Sequence, residues 1–179
     1  PVKIFNQQDQ VFLDFESYID QIEVTKISQN IPESLADSRA VQWIETVLTE
    51  GSLTDIMLTT RFNMSGEIES PNTKFSANLN GATITADPKW PSIEKINAKV
   101  NFSNDYLKIV GNQASVEGID LSYLSITTRD FSQPDSTLSL NARFNSESLI
   151  IEDFIKKSSV SEKIKAYLEE FELKGKLWG

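Results

Sequence analysis

The stretch Ile96-Asn97-Ala98-Lys99-Val100-Asn101-Phe102 places four apolar side chains at every second position, with Asn, Lys and Asn between them. A two-residue period belongs to extended chain, whose successive side chains leave on opposite faces, so this is a strand with one face on a core and the other in water. The same alternation runs upstream through Ile56, Leu58, Thr60 and Phe62, then Phe75, Ala77 and Leu79, then Ala82, Ile84 and Ala86. Downstream, past a polar turn at Ser103, Asn104 and Asp105, come Leu107 and Ile109, then Ala114 and Val116, then Ile119, Leu121 and Tyr123 beyond Gly118. The apolar parity switches at Leu124, Ile126 and Thr128, as a bulge would make it, and Leu138, Leu140, Ala142 and Phe144 follow Gln133-Pro134-Asp135. Short strands recurring about every ten residues between short polar turns indicate an antiparallel meander and not alternating βαβ units. Val11, Leu13 and Phe15, and then Ile22 and Val24, add two strands near the start, with the polar tract Asn6 to Gln10 interrupting.

Helical spacing interrupts this pattern. Behind an N-cap at Asp37 or Ser38, the residues Ala40, Val41, Trp43, Ile44, Val47 and Leu48 fall on one stripe, predicting a helix over Asp37 to Thr49 that Gly51 closes. Ile150, Ile151, Phe154 and Ile155 predict a short helix, and the S-x-x-E spacing of Ser159 and Glu162 caps another ahead of Ile164, Tyr167 and Leu168. The expected fold is therefore mainly β with minor α: a twisted, curved antiparallel meander with two or three short helices. With no low-complexity tract or linker, residues 1–179 read as a single domain. Its opening on Pro1 and its stop at Leu177-Trp178-Gly179 within an alternating pattern read as a segment of a longer protein.

Composition removes much chemistry. There is no cysteine and no histidine, which excludes thiolate nucleophiles, Ser-His-Asp triads, zinc thiolate sites and imidazole acid/base catalysis. The net charge of -9 repels a phosphate backbone, so nucleic acid is not an expected partner. Asp14 with Glu16, and Glu67 with Glu69, are carboxylate pairs at i,i+2 and hence on one strand face, the residue types of a glycosidase. Nothing else in the sequence converges on either pair, and a solvated sheet face is the better reading. The single glycines Gly66, Gly81, Gly111 and Gly118 sit at strand ends without phosphate-loop spacing and read as turns or bulges. Lys156, Lys157, Lys163 and Lys165 form a local basic patch that reads as a solvated helix face ahead of a site for anionic headgroups. The sequence thus leads to no enzyme, no metal and no cofactor.

The recurrent apolar face is what remains. In a closed sandwich it is core; in a long curved sheet that fails to close it becomes a trough able to hold acyl chains, and periodicity leaves the two open. The face is expected to comprise Ile56, Leu58, Ile84, Ile96, Val100, Phe102, Leu107, Ile109, Leu138 and Leu140. Trp90, in the stiff segment Asp87-Pro88-Lys89-Trp90-Pro91, reads either as a rigid turn whose indole covers the end of the sheet or as a residue on the lip of a groove.

The run from Pro88-Lys89-Trp90-Pro91 through Ile96 and Phe102 to Tyr106-Leu107-Lys108-Ile109 resembles the YhdP-like proteins of the AsmA-like family, relatives of TamB. Ile31-Pro32-Glu33-Ser34-Leu35 leading into Trp43-Ile44 and Gly51 is similar to that family's entry to the next strand, as are Val116-Glu117-Gly118-Ile119, the Ile126 to Phe131 segment and the Phe154 to Gly175 end. Ala86 stands where an aromatic is expected, and Glu69 to Phe75 lacks a Phe-Pro-Phe-like element. The resemblance implies a non-enzymatic part of a phospholipid bridge in the periplasm of a Gram-negative bacterium, anchored in the inner membrane by a helix elsewhere in the protein. Its expected partners are phospholipid acyl chains, the remainder of the same polypeptide and envelope proteins. A structural or protein-interaction module with a sealed core is the alternative.

Overall fold

In the computed structural model, residues 1–30, 45–65, 72–86, 89–103, 106–129, 137–159 and 175–179 are described. The alternating segments become nine strands: β1 (Val2–Gln7), β2 (Gln10–Glu23), β3 (Leu48–Asn63), β4 (Asn72–Ile84), β5 (Ile93–Ser103), β6 (Tyr106–Val116), β7 (Ile119–Thr128), β8 (Leu138–Glu147) and β9 (Lys176–Trp178). They lie in sequence order in one sheet, each antiparallel to the next, so the sheet is an open meander. Among the described residues, two hairpins close on two residues with positive φ, Gln8-Asp9 between β1 and β2 and Glu117-Gly118 between β6 and β7. That mirror-image turn matches the right-handed twist of the strands it joins. The polar tract Asn6 to Gln10 is thus a tight hairpin connection.

Directly opposed residues of an antiparallel pair share a face, so the register shows which side chains meet. Leu58, Phe75, Phe102, Leu107, Thr128 and Leu138 form one cross-strand row, and Ala77, Val100, Ile109, Ile126 and Leu140 the next. A third row joins Leu53, Leu79, Ala98, Gly111, Leu124 and Ala142. These rows are the inner face; Leu124 in the third row, and Ala82 paired with Ile96 just beyond it, have no solvent exposure at all. Burying each large apolar side chain contributes about 1.5–3 kcal/mol, which makes this face the main source of stability. Thr60 and Thr73 continue it, buried with their hydroxyls 3.4 Å apart.

Breaks of parity let long strands keep one face inward. Leu79 and Ala82 are three residues apart yet both buried, because Asn80-Gly81 form a bulge with Gly81 at φ 59°. The expected separate strands at Phe75 to Leu79 and Ala82 to Ala86 are accordingly one strand, β4, and Ala86 lies beyond its end. Asp55 (φ 52°) and Lys95 (φ 52°) mark comparable breaks in β3 and β5, and β7 shifts register between Leu121 and Tyr123, where the sequence places its bulge. Bulges sharpen the local twist and bend the strands that carry them. On the outer face a polar chain follows this line: Tyr18 Oη and Asn78 Nδ2 donate to the Asp55 carboxylate, Gly81 N to Asn97 Oδ1, and Asn97 Nδ2 to Gln113 Oε1.

The helix predicted over Asp37 to Thr49 ends earlier than expected. Glu45 to Val47 are helical, but Leu48 pairs with Ile84 and Thr49 is strand. Gly51 therefore closes no helix: it sits within β3 at φ 98°, where a Cβ would lie 2.6 Å from the Ala82 Cα. Sheet pairing to β4 takes over residues that helical spacing alone would claim. Val24 likewise leaves the strand for a 3-10 turn, Val24–Lys26, that leads into the short helix α1 (Ile27–Asn30). The short helix expected around Ile151 and Phe154 is α2 (Ser148–Lys157). Trp43, the N-cap at Asp37 or Ser38, and the segment Glu162 to Leu168 fall outside the described residues.

All these helical pieces lie at one end of the sheet, where β2, β4, β6 and β8 finish. Val24, Ile27 and Val47 are buried in the core there, and Ile151 and Phe154 of α2 pack against it. α2 leaves β8 directly; Lys157 Nζ reaches Glu117 Oε2 in the β6–β7 turn at 3.1 Å, and Ser159 Oγ donates to the Lys89 carbonyl before β5 at 3.0 Å. A ten-residue helix is about 15 Å long, and β8 to β5 is three strand spacings or roughly 14 Å, so α2 crosses the strand ends like a bar.

Candidate functional site

The register puts all ten residues of the expected apolar face on the inner side. Their exposure divides them. Ile56, Ile84, Ile96, Val100, Leu107 and Ile109 are buried, Leu58 and Phe102 are half-buried, and Leu138 and Leu140 remain 41% and 48% exposed. The middle of the face, over β4 to β7, is enclosed, whereas its flank at β8 meets solvent. The opposite flank is open too: Val2, Ile4, Phe15 and Ile19 are exposed on the inner side of β1 and β2, a stripe that the alternation of Val11, Leu13 and Phe15 hinted at only in part. Its missing element was β1, hidden because Val2 and Ile4 lie next to the polar hairpin tract.

Trp90 lies in the connection before β5, 44% exposed, at the end of the sheet that α2 crosses. The connection is pinned by the Thr85 and Ser92 hydroxyls, 2.7 Å apart, and by the Ser159 contact to Lys89. Trp178 on β9 is 85% exposed.

The outer face carries the polar chemistry. Asp14 and Glu16 do share a strand face, but Asp14 is held by Arg61 through two bonds, Nε to Oδ1 at 2.7 Å and Nη2 to Oδ2 at 2.8 Å. These bonds hold the Asp14 carboxyl below the usual carboxylate range and raise the Arg61 guanidinium above its own. The guanidinium also lies over the stacked rings of Phe5 and Phe12, at 5.1 and 5.7 Å. A carboxylate fixed and ionised in this way is a structural tie and a poor general acid. Glu67 and Glu69 fall outside the described residues. Lys156 is paired with Glu152 at 2.6 Å and Lys157 with both Asp153 and Glu117, so on α2 the basic patch is locally neutralised; Lys163 and Lys165 also fall outside the described residues. The hydrogen bonds it donates to the Asp153 and Glu117 carboxylates raise the Lys157 ammonium above its ordinary range.

A shallow depression of about 400 Å³ lies between Met57, Thr59, Lys74, Phe75, Ser76, Asn101, Phe102, Ser103 and Tyr106. Phe75 and Phe102 belong to the first apolar row, and the other lining residues have the opposite parity. Among the described residues no group of three or more acidic side chains is placed to hold a metal ion, and no helix is long and apolar enough to cross a membrane.

What the arrangement offers is an apolar surface continuous across the sheet, enclosed in the middle and open at both flanks. No curated protein and no solved structure matches the chain. The family model described as YhdP protein matches residues 4–178, nearly the whole sequence and all of the final strand β9, and the chain therefore belongs to the YhdP family.

Proposed function

We propose that this chain is a segment of a periplasmic bridge for phospholipid between the inner and outer membranes of a Gram-negative envelope, its inner sheet face receiving acyl chains. Family membership suggests an envelope protein connected with lipid transport. The observation that carries the reading is the continuity of the apolar rows out to exposed flanks: Leu138 and Leu140 on β8, and Val2, Ile4, Phe15 and Ile19 on β1 and β2. A surface of this kind gains about 0.8 kcal/mol for each CH₂ it takes from water, with no demand for a particular headgroup. Binding by this route survives added salt.

A second reading, a structural or protein-interaction module with a sealed core, is favoured by the complete enclosure of Ala82, Ile96 and Leu124. Photo-crosslinking separates the two. Probes at Leu138 and Leu140 capture phospholipid if the flank is a lipid surface, while probes at Ser139 and Asn141, exposed on the other parity of the same strand, do not. Equal capture from both faces, or none from either in the intact protein, favours the sealed module.

A further inference from the structure

Charge on the outer face is sorted by sign, and the depression lies where the positive charges collect. Lys74 on β4, Lys99 on β5, Lys108 on β6 and Arg143 on β8 are exposed with the parity opposite to the apolar rows, which puts them on the outer face. The strand stretches 72–84, 96–103, 106–116, 121–128 and 138–146 contain no aspartate or glutamate, although the chain has 26 of these against 17 lysines and arginines. Strand acids lie around this field, among them Glu16 on β2, Asp55 in β3, and Glu94, Asp120 and Glu147 at the end crossed by α2. Glu67, Glu69 and Asp105, in the β3–β4 and β5–β6 connections, fall outside the described residues. Arg61, Lys156 and Lys157 each meet a carboxylate, but among the described residues Lys74, Lys99 and Lys108 meet none. This part of the surface attracts anions that the net charge of -9 repels elsewhere.

Between the cations the surface is made of hydrogen-bonding groups. Ser103 stands between Lys74 and Tyr106 in one cross-strand row, and Asn101 between Ser76 and Lys108 in the next. Lys74 and Lys108 are therefore two strand spacings across and two residues along from each other, roughly 12 Å between their backbones. Asn101 and Ser103, which line the depression, lie between them, so a ligand seated there has an ammonium group on either side. An amide and a hydroxyl each donate and accept, and a tyrosine ring offers an apolar face with a polar tip. That set matches a ring carrying several hydroxyls, and the flanking lysines match a carboxylate on it. A bare anion uses the lysines alone and leaves the amide, hydroxyls and ring without a role.

We propose that the outer face of β4–β6, centred on this depression, binds a carboxylate-bearing glycan. Ser76, Asn101 and Ser103 hydrogen-bond its hydroxyls, Tyr106 covers a ring face, and Lys74 and Lys108 meet its carboxylates. The site lies on the opposite face from the acyl-chain surface and stands without the lipid reading. Because the lysines are exposed, their attraction is screened over about 8 Å at physiological ionic strength, and binding weakens as salt rises.

The test passes the purified intact protein over surfaces carrying biotinylated oligogalacturonate, whose rings bear carboxylates, or biotinylated maltooligosaccharide, whose rings do not. The site predicts binding to the first and not to the second, with a response that declines as sodium chloride is added. Lys74→Gln with Lys108→Gln weakens binding by about fivefold or more, and Asn101→Ala with Tyr106→Leu, which leaves both charges in place, by about threefold or more. Lys156→Gln, on α2 and away from the depression, leaves binding at the wild-type level. Circular dichroism verifies that each variant is folded. No binding of oligogalacturonate by wild type, equal binding of the two sugars, or unchanged binding by both folded double variants overturns the proposal. Loss in the lysine variant with wild-type binding in the Asn101 and Tyr106 variant overturns it as well, since it marks a surface that collects anions of any kind.

Discussion

Leu124 and Leu140 are two leucines on neighbouring strands of the same apolar face, and truncating each to alanine should have very different costs. Leu124 has no exposed surface, and its row partners are Gly111 on β6 and Ala142 on β8, neither with a side chain long enough to lean into the space left behind. Leu124→Ala therefore combines the lost transfer energy with a cavity that cannot collapse and falls near the upper part of the 2–5 kcal/mol range, about 4 kcal/mol. Leu140 is 48% exposed, so Leu140→Ala forfeits about half of the transfer energy and opens no cavity, roughly 1 kcal/mol. Urea unfolding followed by circular dichroism measures both, with equal slopes expected, so that the difference appears in the midpoints. In thermal melts about 4 kcal/mol corresponds to a fall of roughly 8–16 °C for a chain of this size. Equal losses for the two variants, or a loss below about 1.5 kcal/mol for Leu124→Ala, would refute the division of the face into an enclosed middle and an open flank.

Gly111→Val should destabilise by more than about 2 kcal/mol, because a Cβ there lies 2.6 Å from the Asn97 carbonyl and 2.9 Å from the Ala98 Cβ; a wild-type urea midpoint would count against the β5–β6 register. Gly51→Ala should cost at least as much, since the residue has φ 98° and its Cβ would meet the Ala82 backbone; thermal melting reads it. Arg61 depresses the folded-state pKa of Asp14, so the unfolded chain binds more protons: the pair's stabilisation is present above the ordinary carboxylate pKa of about 4 and is lost as the pH falls below it. Asp14→Asn should therefore flatten the acid limb of the stability profile, and an unchanged limb would show that the exposed pair adds nothing.

The middle of the sheet was legible from sequence because Ile96 to Phe102 alternates without exception, and buried partners such as Val100 and Ile109 obey the same period. The misreadings have local causes. Val47 and Leu48 satisfy both a helical stripe and a strand start, and only the pairing of Leu48 with Ile84 on a distant strand decides between them. Asn80-Gly81 is equally good as a turn between two strands or a bulge within one, because both need positive φ. The left-handed Lys95 carries no sequence mark, being neither glycine, asparagine nor aspartate. Exposure was the larger gap: period two separates inner from outer side chains, but whether an inner residue is enclosed like Ile96 or open like Leu140 depends on where α2 and the neighbouring strands lie. The Arg61 bond to Asp14 was unreadable for a similar reason, since it joins positions 47 residues apart through the β2–β3 register.

The most direct test of the lipid surface is native mass spectrometry of the purified protein carrying Leu138→Asp with Leu140→Asp, beside wild type and a Ser139→Asp control. Both leucines are exposed, so the double variant should remain folded, which its circular dichroism verifies. The account predicts phospholipid-sized adducts on wild type and on the Ser139→Asp control that are lost from the folded double variant; no adduct on wild type, or the same adducts on all three proteins, would contradict it.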